Sequence, residues 1–343
     1  MPTSSMVGIK GSGAYFPKQQ IEVKELAHKY RLNYSELLKD HGIKSIHLAG
    51  PNEGELFMAT KAVQEALKDS QLKAQDINLV IFCKGLTRQK NARPLSSQII
   101  EEIKATEAYG FDVEGGLIGG LLGIQIANDL IKNNFDINNA IIVAAQEFDE
   151  IYLFGGGSAR FKNMVFGDGA AAIVLSKDAP NNKILTSDFV IDHDTSFIDE
   201  LLAESLGKDG KLRKMFDKLK HTVVVVKNIG KKQKLSKLTD RWVENSYRVI
   251  ASCMKSINLD VGDISHFIKT QLSLKETELL IKKLNIRTDK IYNTSSEKGH
   301  LGQADILYNL HSALKNPKLR NLDIIALVTA NYDCSSGAIV LRR

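Results

Sequence analysis

The chain repeats itself, and that limits its folds more than any other feature. Residues 62–82 read as an amphipathic helix, a short polar turn and a buried strand; 187 residues later, residues 249–269 read the same way. Lys68 and Lys255, Leu72 and Leu259, Asp76 and Asp263, and Ile77 and Ile264 coincide without a gap. A second pair, Ala171-Ala-Ile-Val-Leu175 and Gly337-Ala-Ile-Val-Leu341, gives small-then-branched runs suited to a central strand. Two matches in the same order predict a duplicated α/β fold. The N-terminal half is expected over 1–178 and the C-terminal half over 179–343, with the seam at 176–182 around Pro180. Short apolar runs at 78–82, 140–144 and 324–328 alternate with helical segments, which predicts helices packed on sheets.

The 343 residues, 43% hydrophobic and 25% charged, are enough to bury a large core without disulfides or metals. Three scattered cysteines, Cys83, Cys253 and Cys334, form neither a disulfide framework nor a Cys-x-x-Cys metal site, which points to a reducing cytoplasm. Residues 1–16 lack an export signal. The longest apolar stretch, 117–130, is too short to span a bilayer and is broken by Gln125, Asn128 and Asp129. Neither a membrane nor a cofactor is expected. The net charge of +6 is concentrated in 208–241, where twelve basic side chains face three acidic ones. That stretch suits a solvated face or a docking surface for an acidic partner. It lacks the interleaved aromatics of a nucleic-acid face, so no nucleic acid is expected.

Several motifs remain once weak signatures are set aside. Gly11-x-Gly13 has Phe16 where a dinucleotide fingerprint needs its third glycine, and Gly155-Gly-Gly-Ser158 lacks the lysine of a phosphate loop. Phe111-Asp-Val-Glu-Gly-Gly-Leu117-Ile-Gly-Gly-Leu-Leu-Gly123 runs from a strand through a glycine cluster into an apolar helix at 121–132. Such a helix start presents free backbone N–H groups, a place to activate a nucleophile or hold an anion; equally, glycines there permit close helix packing. Phe166-Gly-Asp-Gly-Ala170 reads as a tight turn feeding a strand. Lys298-Gly-His300-Leu-Gly-Gln-Ala-Asp305 precedes an amphipathic helix at 306–315. There His300 is either a general base oriented by Asp305 or a structural histidine.

Together these pieces resemble the thiolase superfamily, and within it the 3-oxoacyl-(acyl-carrier-protein) synthase III branch of condensing enzymes. Gly8-Ile-x-Gly-x-Gly-x-Tyr15-x-Pro17 is similar to the family's opening strand, and His41-Gly-Ile-Lys-Ser-Ile-His47 to its Thr-Gly-Ile-x-x-Arg segment. Phe166–Ala170 matches its Phe-Gly-Asp-Gly-Ala turn, and Gly337-Ala-Ile-Val-Leu-Arg342 its closing strand. The resemblance implies a five-layered αβαβα fold of two similar halves. It also implies a homodimer, or a heterodimer with an active condensing enzyme, working on acyl-coenzyme A or acyl carrier protein.

The same resemblance places the family's nucleophilic cysteine on Leu117, its first catalytic histidine on Thr270, and its Gly-Asn pair on Gly299-His300. Leucine cannot attack a thioester. His300 with Asp305 then stands as the candidate catalytic pair, and Gly116, Gly119, Asn331 and Arg160 as candidate substrate-binding residues. Arg160 lies near the family's coenzyme A-contacting arginine, and Leu37 or Leu38 falls where the family has an aromatic partner. Cys334 lies in the loop that replaces the family's C-terminal glycine-rich segment. The implied function is a synthase III-like protein of fatty-acid, polyketide or secondary-metabolite assembly without cysteine-dependent condensation. The alternatives are an acyltransferase with His300 as base and a non-catalytic acyl or carrier-protein binding module.

Overall fold

The computed structural model describes residues 6–343 except 31, 86–92, 135, 149–164, 193–230, 271, 293 and 332; in the helix at 231–256, side chains are described from 237 onward. The elements run in the order β1 (Gly8–Tyr15), β2 (Gln19–Glu22), α1 (Val23–Lys29), α2 (Tyr34–His41), β3 (Ser45–Leu48), α3 (Glu55–Ser70), β4 (Leu79–Lys84), α4 (Leu95–Ile103), β5 (Tyr109–Glu114), α5 (Gly119–Asn133), β6 (Asn139–Gln146) and β7 (Gly169–Ser176). They continue with β8 (Lys183–Val190), α6 (Lys231–Ser256), β9 (Ile264–Lys269), α7 (Leu274–Leu284), β10 (Ile291–Tyr292), α8 (Ser295–Lys298), α9 (Ala304–Leu314), β11 (Ile324–Ala330) and β12 (Ser336–Arg342).

The strands form a ten-stranded sheet made of two runs with the same plan, β5-β4-β6-β7-β1 and β10-β9-β11-β12-β8. β4 pairs in parallel with β5 and β6, as β9 does with β10 and β11. β7 is antiparallel to β6 and β1, as β12 is to β11 and β8. The runs meet at Gly8 and Lys183. β2 and β3 form a separate antiparallel pair.

Alternate residues of each strand point to opposite faces, and here both faces are apolar. Val80 and Phe82 of β4 join α3 and α4 in one outer core, while Leu79, Ile81 and Cys83 face inward. Phe267 and Val328 pack against α6 and α7 in the other outer core, while Ile268 and Leu327 face inward. Between the runs lie α5 and α9, with Leu121, Ile124, Ile306 and Leu310 in the inner core. The result is the αβαβα layering of the thiolase fold. The central layer matters for function because its two helices start near each other, one from each half of the chain.

The candidate cleft at the two central helix starts

A backbone device sets up the first helix start. Gly116 lies at φ +55°, and a side chain there would place its Cβ 2.5 Å from Asn331 Oδ1. Glycine tolerates that conformation where other residues are strained. The chain then makes one short tight turn, Gly116–Ile118, and enters α5. Leu117 sits on this turn, 4% exposed, and packs in an apolar cluster with Leu238, Trp242, Leu272, Ala330 and Cys334. Its N–H, which would otherwise be free at the helix tip, is donated to Asn331 Oδ1 at 3.3 Å. Asn331 is fixed in turn, because its carbonyl accepts from the Trp242 indole N–H at 2.9 Å and from the Cys334 N–H at 3.0 Å.

The second helix start carries His300 and Asp305. Their side chains meet at 2.7 Å, His300 Nδ1 to Asp305 Oδ2, and the other carboxylate oxygen accepts from the Leu301 N–H at 3.2 Å. The expected pair is therefore formed, and its placement decides what it can do. His300 is 1% exposed and stacks on Phe166, with ring centroids 5.3 Å apart.

A cleft of about 490 Å³, part of it open to solvent, lies between the two helix starts. It is lined by Lys84, Gly85, Glu114, Gln146, Phe148 and Gln303, together with Gly116, Leu117, Phe166 and Gly302. Gly116 and Leu117 are thus where a site was expected. His300 and Asp305 are not on the lining; Phe166 stands there, with the His300 ring stacked on it. Asn331 acts on the cleft through Leu117 rather than by lining it. Gly119 opens α5, and a methyl group there would make only ordinary contact, 3.9 Å from Cys83 Cβ. Thr270 is 2% exposed, and its hydroxyl makes no hydrogen bond among the described residues. Arg160 lies outside the described residues, as do Gly155–Ser158 and most of the basic stretch. Leu37 is buried with Val23, Leu26 and Ile46, so it offers no stacking face to a nucleotide.

The thiols are held in their protonated form where a cause can be named. Burial, and secondarily Asp112, pushes Cys83 up to about 12. Burial, with Asp188 behind it, does the same to Cys253. Cys334 is fully buried beside Leu117, with its backbone in the left-handed region at φ +64°. No group of three or more His, Cys, Asp or Glu side chains that could hold a metal exists among the described residues. Likewise, no described helix is long and apolar enough to cross a membrane.

Sequence reasoning passed over Gln303, Gln146, Phe148, Glu114 and Lys84. Gln303 lies inside the 298–305 motif, and its signal is a polar side chain directly after a glycine at a helix start. The partner that explains it, Gly85, is more than two hundred residues away in the chain.

Comparison with known proteins agrees with this geometry. The family profile for 3-oxoacyl-[acyl-carrier-protein (ACP)] synthase III matches residues 111–193, and the profile for the C-terminal part of the same synthase matches 254–343. Between them they cover both helix starts and about half of the chain. The beta-ketoacyl-[acyl-carrier-protein] synthase III of Wolbachia pipientis wMel is 24% identical over 344 residues, covering 97% of this chain and 98% of that relative. The solved 3-oxoacyl-[acyl-carrier-protein] synthase III of Aquifex aeolicus VF5 superimposes with a TM-score of 0.78 at 23% identity, over 98% of this chain and all of that one. The priming beta-ketosynthase of the R1128 polyketide pathway gives 0.79 at 19% identity, over 100% of this chain and 97% of that one. The duplicated sheet, the paired central helix starts and the matched profiles lead to one conclusion: the chain belongs to the 3-oxoacyl-[acyl-carrier-protein] synthase III family of the thiolase fold.

Proposed function

We propose that this protein serves fatty-acid, polyketide or secondary-metabolite assembly without forming an acyl-cysteine. On this reading it binds acyl carrier protein or acyl-coenzyme A as the companion subunit of an active condensing enzyme. One observation carries the reading: Leu117 fills the helix tip with an aliphatic side chain packed against Trp242 and Cys334. A covalent intermediate needs a nucleophile at the reacting carbon, and the leucine side chain offers none. The Leu117 N–H, a natural donor to a developing oxyanion, is already taken by Asn331. The relatives' names supply the substrate class, since they are acyl-carrier-protein synthases.

The test is intact-protein mass after incubation with acyl-coenzyme A and with acyl carrier protein. No mass gain is expected from either. An acyl adduct on any side chain overturns the reading. Purification from the native cell should also bring down a condensing enzyme that carries an active cysteine.

A second reading makes His300 the general base of a direct acyl transfer, oriented by Asp305. The 2.7 Å bond between them favours it. The stacking of His300 against Phe166, away from the cleft lining, counts against it. If transfer is detected, it should survive His300→Ala; loss of turnover in a folded variant would restore the second reading.

A further inference from the structure

A second hollow, of about 470 Å³ and partly open to solvent, lies at the other end of α9 from the cleft, on the seam where the two sheet runs meet. α9 has 11 residues and is about 16 Å long, so the two sites are separate. Both halves of the chain build the hollow. Lys10 and Ser12 come from β1, Asp69 from the last turn of α3, Asn182 from just before β8, Lys315 from the end of α9 and Arg343 from just after β12. Lys10 and Arg343 are half-buried. No aromatic side chain lines the hollow among the described residues.

Three cations converge there, and the carboxylate among them is already engaged. Asp69 Oδ2 accepts from the Ser12 N–H at 2.9 Å, and Oδ1 accepts from the Lys315 ammonium. The Ser12 hydroxyl is paired with His311 Nδ1 at 3.0 Å, and the main-chain oxygen of Arg343 accepts from the Leu322 N–H at 3.1 Å. The Arg343 guanidinium makes one hydrogen bond among the described residues, from Nη1 to Asn182 Oδ1 at 3.1 Å, which anchors the fork and leaves its other N–H groups available. Lys10 makes no hydrogen bond or ion pair among the described residues. It is the extra residue of a β-bulge, since Ile9 faces Leu175 and Gly11 faces Val174 of β7 with Lys10 between them. A bulge re-aims a side chain, here toward the hollow.

The charges do not cancel. Three cations against one carboxylate leave two positive charges, and the C-terminal ends of α3 and α9, at about half a negative charge each, offset about one of them. A hollow lined mainly by one sign of charge focuses its field and collects counter-ions. A phosphate group carries about −1.5 to −2 at pH 7 and offers three acceptor oxygens, which suits two ammonium groups and a planar guanidinium fork. With no ring to stack a base, the remaining volume suits a small polar body rather than a nucleoside.

We propose that this hollow binds a phosphate group, free or carried on a small polar body, with Lys10 and Lys315 as point charges and Arg343 as the fork. The proposal goes beyond the functional reading above and does not depend on it.

The test is phosphorus NMR of inorganic phosphate and, separately, of glycerol 3-phosphate, each titrated with the full chain at constant low chloride. Wild type should broaden the signal saturably, and whichever probe binds more tightly names the source of the group. Lys10→Gln and Arg343→Gln should each weaken binding about ten-fold, the value of one hydrogen bond to a charged group. Lys10 has no bond for the fold to lose, so that variant decides the matter if Arg343→Gln does not fold, with a thermal melt as the check. Lys275→Gln, at an exposed lysine on α7, should leave binding unchanged. Absence of saturable binding by both probes, binding that survives Lys10→Gln, or an equal loss in Lys275→Gln would each overturn the proposal.

Discussion

Asp168 shows how one side chain can hold a cleft in shape from outside it. In the Phe166–Ala170 turn its two carboxylate oxygens accept from the Phe148 N–H at 2.8 Å and the Ala49 N–H at 2.7 Å. Its own N–H donates to the His47 carbonyl at 2.9 Å. Phe148 and Phe166, with rings 4.4 Å apart, are thereby presented together to the cleft. Gly167 is required beside it, because a Cβ there would fall 2.2 Å from the Lys298 carbonyl. Burial pushes Asp168 up to about 6, outweighing the two N–H bonds that pull it down. A carboxyl raised by folding lends its stability in the protonated form. That contribution is fully present below about pH 4 and is lost as pH rises through 6. By this linkage, wild type should lose on the order of 3 kcal/mol relative to Asp168→Asn between pH 4 and 7, read by urea titration at a series of pH values. A difference that stays flat across this window would show that Asp168 titrates as an ordinary carboxylate.

At the scale of elements, the repeat is physical as well as textual. Asp76 accepts from the Lys73 N–H, and Asp263 from the Asp260 N–H, each at 2.8 Å. Each aspartate closes the short turn that ends one helix-to-strand connection, at Ala74–Asp76 before β4 and at Val261–Asp263 before β9. Because the geometry is the same, Asp76→Ala and Asp263→Ala should each cost about 1 kcal/mol, by analogy with a lost helix cap, and by nearly equal amounts in chemical denaturation. Unequal costs would mean that the two copies no longer share a folding role. The central helices diverge where the outer ones agree. α5 is entered through Gly116 and a taut turn, whereas α9 is entered through Gly302 at φ +58° and Gln303. The site is made from that difference.

At the scale of the whole molecule, the ten-stranded sheet ends in an edge at β5. β5 is the last strand of its run, Tyr109 on it is 50% exposed, and its last residue, Glu114, lines the cleft. Among the described residues no strand pairs with its outer edge, and such an edge is a template for pairing with another chain. The expected state is a dimer joined along β5, either of two copies or with the condensing partner. Light scattering on the purified chain should give twice the chain mass, and Tyr109→Lys should shift it toward one. A monomeric wild type that stays monomeric in the presence of its co-purifying partner would remove this interface. Such a dimer would set both clefts beside the shared edge, since β5 runs directly into Gly116 and Leu117.

What could be read from the sequence alone was whatever depends on neighbours along the chain. The helix–turn–strand repeat, the Phe166–Ala170 turn and the His300–Asp305 contact are all set by local spacing, and each stands in the fold where it was expected. The family, too, was legible, because its motifs are short and contiguous. The cleft was not. His300 is turned from a candidate at the site into a ring stacked on Phe166, and Gln303, a residue the motif did not single out, lines the cleft with its amide N–H donated to the Ala145 carbonyl. Both outcomes depend on where α9 of one half meets β4 and α5 of the other. Which atoms face a shared cavity is fixed by packing between distant segments, and no pattern along one segment records it.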